Sequence, residues 1–250
     1  METLTLYEKL NVIIPLNLCC EWDNDGISVL PDKDHESKRI LVSLDLRDEV
    51  IKYAIENEFD TIITHHPLIF SKLGELGGFS VPSEKALKLI REDIAAISFH
   101  TRFDCIDGGV SDTMCRKLGL EPYAAFGEGN CARLCNVEET EFDKFAKKVK
   151  GIFGGAHFSC EKASDTVSRI AVCGGKAGDF KDDALVSGAD TLVCGEMNYH
   201  TAIDAADAGL NVICVGHYES EAPALEHLFE LVAEQSGEYT ELYGVEQYVI

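Results

Sequence analysis

Short β-branched and apolar runs alternate with stretches of helical periodicity along most of this chain. Residues 4–18 read as an amphipathic helix ending near Pro15, and 40–44 as a strand. Residues 48–58 repeat apolar positions on one helical face through Val50, Ile51, Ala54 and Ile55. Strands are predicted over 61–64 and 94–99, with a helix from Ser83 to Ile90 between them and another over 110–118, stopped by Gly119. The alternation then restarts. Strands are predicted over 133–137, 169–173, 191–194 and 212–215, and helices over 141–149, 181–187 and 200–208, with a long final helix over 221–234. Strands alternating with helices imply mainly parallel sheets with helices on their faces. The fold class is therefore α/β, as two similar halves over 1–125 and 126–250. The Gly- and Ala-rich stretch 124–132 marks the junction, and the C-terminal strand and helix are able to return to the first sheet.

Bulk numbers narrow the setting. A chain of 250 residues, 46% hydrophobic, is long enough to bury one large core or two small ones. No run approaches the roughly 20 apolar residues of a membrane span. Glu2 and Glu8 stand where a signal peptide would carry basic residues, so a cytoplasmic protein is expected. The net charge of -22 opposes nucleic-acid binding, which rests on cationic side chains neutralising phosphates. Ten cysteines occur with no C-x-x-C pair, which argues against a zinc ribbon. Cys173, Cys194 and Cys214 fall inside apolar strand runs and read as buried free thiols.

Three of the predicted strands end in residues able to bind metal: Thr64-His65-His66-Pro67, His100-Thr101-Arg102-Phe103-Asp104 and Gly216-His217-Tyr218-Glu219-Ser220-Glu221. In open α/β sheets ligands gather beyond the carboxyl ends of the strands. Three imidazoles and two carboxylates, His65, His66, His217, Asp104 and Glu221, suit zinc, iron, manganese, cobalt or nickel better than calcium or magnesium. Adjacent strand residues point to opposite faces, so His65 and His66 converge only once the strand has ended, at Pro67. One solution gives each histidine its own metal ion, with a carboxylate bridging the two. Glu221 is the better bridge, read as opening the final helix behind an N-cap at Ser220. His100, Asp45, Glu196 and His200 are candidates to orient a ligand or to carry protons, and Glu219 is a weaker one. Trp22-Asp23-Asn24 reads as a structural turn. Phe70, Leu73 and Phe79 form an apolar loop able to cap the site or meet a neighbour.

These motifs resemble the dinuclear-metal, ring-forming proteins commonly labelled GTP cyclohydrolase 1 type 2, or NIF3-like. The resemblance spans nearly the whole chain. It rests on Trp22-Asp23-Asn24-Asp25-Gly26, Leu44-Asp45, Thr64-His65-His66-Pro67-Leu68, His100-Thr101-x-Phe103-Asp104, Gly108-Gly109-Val110, Cys173-Gly174-Gly175, Gly195-Glu196 and the Gly216–Glu221 segment. It implies two divalent metal ions per chain on His65, His66, Asp104, His217 and Glu221, with Glu221 touching both and the site between the two halves. It further implies a homohexameric ring built as a trimer of dimers. Two departures stand out. Arg102 replaces an asparagine common in relatives and is a candidate for meeting a substrate phosphate. The glycine-rich segment 127–134 lacks the family's arginine and third glycine.

Two functions are expected from these residues. The first is metal-dependent hydrolysis of GTP or of another nucleotide or phosphoester, by attack of a metal-activated water. The second is a metal-holding scaffold or regulatory protein without turnover.

Overall fold

The computed structural model describes residues 1–78 and 80–244; Phe79 of the apolar loop lies outside the described residues. In chain order the strands are Gly26–Val29 (β1), Arg39–Ser43 (β2), Thr61–Thr64 (β3), Ala95–Ser98 (β4), Pro122–Phe126 (β5), Ala132–Glu141 (β6), Ser159–Glu161 (β7), Thr166–Lys176 (β8), Thr191–Glu196 (β9), Asn211–Cys214 (β10) and Tyr239–Leu242 (β11). The α-helices are Thr3–Ile13 (α1), Asp48–Glu56 (α2), Val81–Arg91 (α3), Thr101–Cys105 (α4), Val110–Leu118 (α5), Phe142–Phe153 (α6), Lys181–Val186 (α7), Tyr199–Asp207 (α8), His217–Glu221 (α9) and Leu225–Ser236 (α10).

Two compact units result. Among the described residues the first takes 1–103 and 225–244; the second takes 104–224. The division falls inside α4 rather than near residue 125, because β5 pairs with β6 and α5 packs on β8.

In the first unit the sheet order is β1-β4-β3-β2-β11. β11, β2, β3 and β4 are parallel, and β1 closes the edge antiparallel. The pairing register is what positions the chemistry. Ser43 lies beside Thr64, Thr64 beside Ser98, and Ser98 beside Gly26. These four residues form one row across the sheet. The residues just after Ser43, Thr64 and Ser98, and those just before Gly26, are therefore delivered to the same edge. The core beneath it contains Leu41, Ile62 and Ala96 from the strands, Val50, Ile51 and Ala54 from α2, and Ala86 and Leu89 from α3.

In the second unit the order is β5-β6-β8-β9-β10-β7. Its centre, β8-β9-β10, is parallel, with antiparallel strands on both sides. Cys173, Cys194 and Cys214 form a row across the parallel strands, and all ten cysteines are free thiols. The ends beyond this row carry Gly174-Gly175, Gly195-Glu196 and Gly216-His217.

The predicted long final helix is in fact two. α9 ends at Glu221, a 3-10 turn spans Ala222–Ala224, and α10 starts at Leu225. Pro223 sits at that turn, where its missing N–H breaks the helical hydrogen-bond ladder. Ser220 is therefore inside a helix and not an N-cap. Its Oγ donates to the His217 carbonyl at 2.7 Å and accepts from Gly175 N at 3.0 Å. Among the described residues no helix is long and apolar enough to cross a membrane.

Candidate metal-binding site

The carboxyl edge of the first sheet gathers His65 and His66 after β3, Asp45 after β2, His100 after β4, and Asp23 and Asp25 before β1. The ladder continues past the strand ends: His65 N donates to Ser43 O and His66 N to Leu44 O. This fixes the backbone of both histidines before any side chain is considered.

Each imidazole is then set by what its Nδ1 meets. His65 is buried, and its Nδ1 donates to the Phe99 carbonyl at 2.9 Å. His66 Nδ1 donates to Asp45 Oδ1 at 2.8 Å. His100 Nδ1 donates to the Asp23 carboxylate at 2.9 and 3.0 Å. A carbonyl and two carboxylates only accept, so all three neutral rings carry their proton on Nδ1 and keep the lone pair on Nε2. A metal-ligating histidine has this arrangement, with its other nitrogen bound to an oxygen acceptor. The candidate ligand atoms of His65, His66 and His100 lie within 4.8 Å of one another, compatible with a shared cation.

The Asp23 side chain is fully buried and receives more than the histidine. Thr101 donates to Asp23 Oδ2 from its N and Oγ1, and Asn24 N donates to Oδ1. Burial alone raises the pKa of this carboxyl; the hydrogen bonds from His100 and Thr101 and the His100 charge outweigh it and hold the group at about 2. Cys19 joins Asp23 and Asp25 in a second close group, but Asp23 is committed to His100 and Asp25 to Arg102. From sequence, Trp22-Asp23-Asn24 reads as a turn, which hides Asp23. Its role depends on β1, a four-residue edge strand too short to show as a period.

Arg102 does not face a pocket, contrary to its reading as a phosphate contact. Its side chain is 0% exposed, its Nε donates to Asp25 Oδ2 at 2.8 Å, and Nη1 donates to the Ile14 carbonyl at 3.0 Å. The guanidinium carbon stands 4.5 Å from the centre of the Phe99 ring and 5.5 Å from that of Tyr7. Arg102 is a buried structural cation, and burial still pushes the pKa of its partner Asp25 upward.

In the second unit His217 and Glu221 stand four apart on α9. His217 Nε2 is 3.1 Å from Glu221 Oε1, and its Nδ1 is 3.3 Å from Glu196 Oε1 beyond β9. A neutral imidazole has one N–H for two carboxylates. A cation held by Nε2 and Glu221 would leave that proton on Nδ1 for Glu196. Glu221 is 4% exposed. Gly175, at φ +58, leaves it room: a Cβ there would stand 2.5 Å from Glu221 Oε1. Asp104 is half-buried on α4, close enough to Cys131 to help raise that thiol's pKa. His200 is exposed on α8 with its ring against Tyr199. Glu219 folds over Gly155 and Gly216.

Residues 1–248 match the family described as Duf34/NIF3 (NGG1p interacting factor 3). The chain belongs to this family. As a Duf34/NIF3 protein it is 31% identical over 226 residues to a GTP cyclohydrolase 1 type 2 homolog of Streptococcus pneumoniae, covering 87% of this chain and 84% of the relative. It is 32% identical to the homolog of the same name in Clostridium perfringens, over 91% and 92% of the two chains. The fold matches that of a Staphylococcus aureus hypothetical protein with a TM-score of 0.86 at 24% identity, over 100% and 99% of the two chains. Membership and the mixed α/β, two-sheet fold agree with what the motifs implied.

Proposed function

We propose that this Duf34/NIF3 protein is a metal-dependent hydrolase in which His65, His66, Asp104, His217 and Glu221 hold two divalent ions. The observation that carries this reading is the set of imidazoles whose Nδ1 protons are engaged by oxygen acceptors, which places the lone pair on Nε2. The donor set is nitrogen and carboxylate oxygen, which fits zinc, iron, manganese, cobalt or nickel. When bound, such ions supply an acidified water and Lewis-acid polarisation of the bond to be cleaved. The chain's own residues do the rest. Phe99, Asp45 and Glu196 orient His65, His66 and His217. His100, held by Asp23 and outside the proposed ligand set, would accept or return a proton at Nε2. The relatives' name, GTP cyclohydrolase 1 type 2, supports a nucleotide as substrate, with hydrolytic opening of the purine ring as the reaction.

The family's name, interacting factor, favours a second reading in which the metal centre is a scaffold without turnover. The test is a panel of GTP, cyclic nucleotides and phosphoesters, run with metal restored to the wild-type chain, His65→Ala and Glu221→Ala. Turnover confined to the wild type supports the hydrolase. Equal turnover in the metal-free variants refutes it, and tight metal uptake without turnover on any substrate selects the scaffold. From the family resemblance we also propose the homohexameric ring, with a mass in solution about six times the 27.4 kDa of one chain.

A further inference from the structure

Two large aromatic side chains stand in the open beside the imidazoles of the first unit. Trp22 is 57% exposed and Phe70 is 55% exposed. Their ring centres are 5.9 Å apart with planes tilted by 47°. Each also meets His100 edge-on: Trp22 at 6.1 Å and 80°, Phe70 at 6.1 Å and 71°. The turn carrying Trp22 is tied to the turn carrying Phe70 by a hydrogen bond from Asn24 Nδ2 to the Ile69 carbonyl. The pair is therefore held open as a unit, and His100 forms its inner wall.

Leaving such rings in water forgoes part of the burial free energy that indole and phenyl groups normally contribute. Two exposed rings in contact offer an apolar face that a flat partner can cover. Its place identifies the occupant. A ring seated against Trp22 and Phe70 lies beside His100, whose ring centre is 6.1 Å from each of theirs. Charge narrows the choice further. The net charge of -22 gives no long-range pull on anionic groups, so the part of a ligand that this shelf holds is a neutral, flat moiety bound by stacking.

We propose that Trp22 and Phe70 form a stacking shelf that recognises a planar heteroaromatic ring and places it beside His100. In calling that ring part of a substrate, the proposal rests on the hydrolase reading above; the binding itself does not.

Trp22 is the chain's one tryptophan, so its emission reports this shelf alone. The zinc-supplemented full chain is titrated with guanosine, adenosine and cytidine, and separately with ribose and tripolyphosphate. Saturable quenching by a nucleoside, with none from ribose or tripolyphosphate, is expected. Phe70→Ala keeps the reporter and weakens nucleoside binding about 5- to 150-fold, the range for losing one stacking partner. Phe70→Tyr, which keeps an aromatic ring, retains binding. No response to any nucleoside overturns the proposal, as does an equal response to tripolyphosphate. An emission shift that depends on protein concentration and disappears in Phe70→Ala also overturns it, because the shelf is then a contact between copies of this chain. Metal content and hydrolysis are measured on the same samples. Nucleoside quenching without metal or turnover sinks the hydrolase reading and keeps the shelf. Turnover with no response from Trp22 sinks the shelf alone.

Discussion

Replacing Asp23 with asparagine is a sharp perturbation of the first unit, because the new side chain is nearly isosteric and the change is purely chemical. Asp23 Oδ1 accepts from Asn24 N and His100 Nδ1, and Oδ2 accepts from Thr101 N, Thr101 Oγ1 and His100 Nδ1. An amide has one oxygen. Either orientation turns its NH2 group toward a backbone N–H, of Asn24 or of Thr101. The charge that favours protonation of His100 at Nδ1 is also lost, so His100 is free to move its proton to Nε2. The carboxyl pKa lies at about 2 against an ordinary 3.8. That depression corresponds to roughly 2 kcal/mol of stability at neutral pH. A depressed carboxylate contributes fully above its unfolded value and loses the contribution as pH falls through its folded one. The wild type should therefore exceed Asp23→Asn by about 2 kcal/mol at pH 7. The gap should shrink steadily between about pH 4 and 2. Urea unfolding followed by Trp22 emission reports the right unit, and 15N NMR of the imidazoles reports the tautomer. Equal stability at pH 7 would refute the reasoning, as would a gap that does not change with pH or an unaltered His100 tautomer.

Three further outcomes are expected. Arg102→Leu leaves Asp25 buried without its cation and should cost about 3–5 kcal/mol in chemical denaturation, whereas an arginine serving only a substrate would leave stability unchanged. Gly175→Ala puts a side chain at φ +58 and a Cβ against Glu221; zinc binding by equilibrium dialysis should weaken about 10- to 100-fold, with a stability loss of about 1–2 kcal/mol. Cys194 and Cys214, whose sulfurs lie 3.7 Å apart in the second core, should resist Ellman's reagent in the folded chain and react once urea unfolds it.

Much of this arrangement is legible in the sequence because period and register are linked. The apolar runs ending at Thr64, Phe99 and Val215 place their strands, and parallel pairing then aligns the residues just past each end. Asp45 and Glu196 are readable as partners of histidines for the same reason. β1, β5, β7 and β11 escape a reading by period because they are short or lie at sheet edges, where burial on one side leaves little pattern. Asp23 is lost along with β1. Arg102 misleads because exposure is the usual state of an arginine; its buried partners, Asp25 and Ile14, are 77 and 88 residues away in sequence. Glu221 is expected to open the final helix and instead closes a short one, since Pro223 breaks the periodic run just after it.

The most direct test of the central claim is elemental analysis of the freshly purified chain, calibrated against protein concentration, beside His65→Ala and Glu221→Ala prepared identically. The account predicts about two transition-metal or zinc ions per wild-type chain and a clear loss of metal in each variant. A wild-type chain that holds no such metal under saturating supply, or variants that keep the full complement, would contradict it.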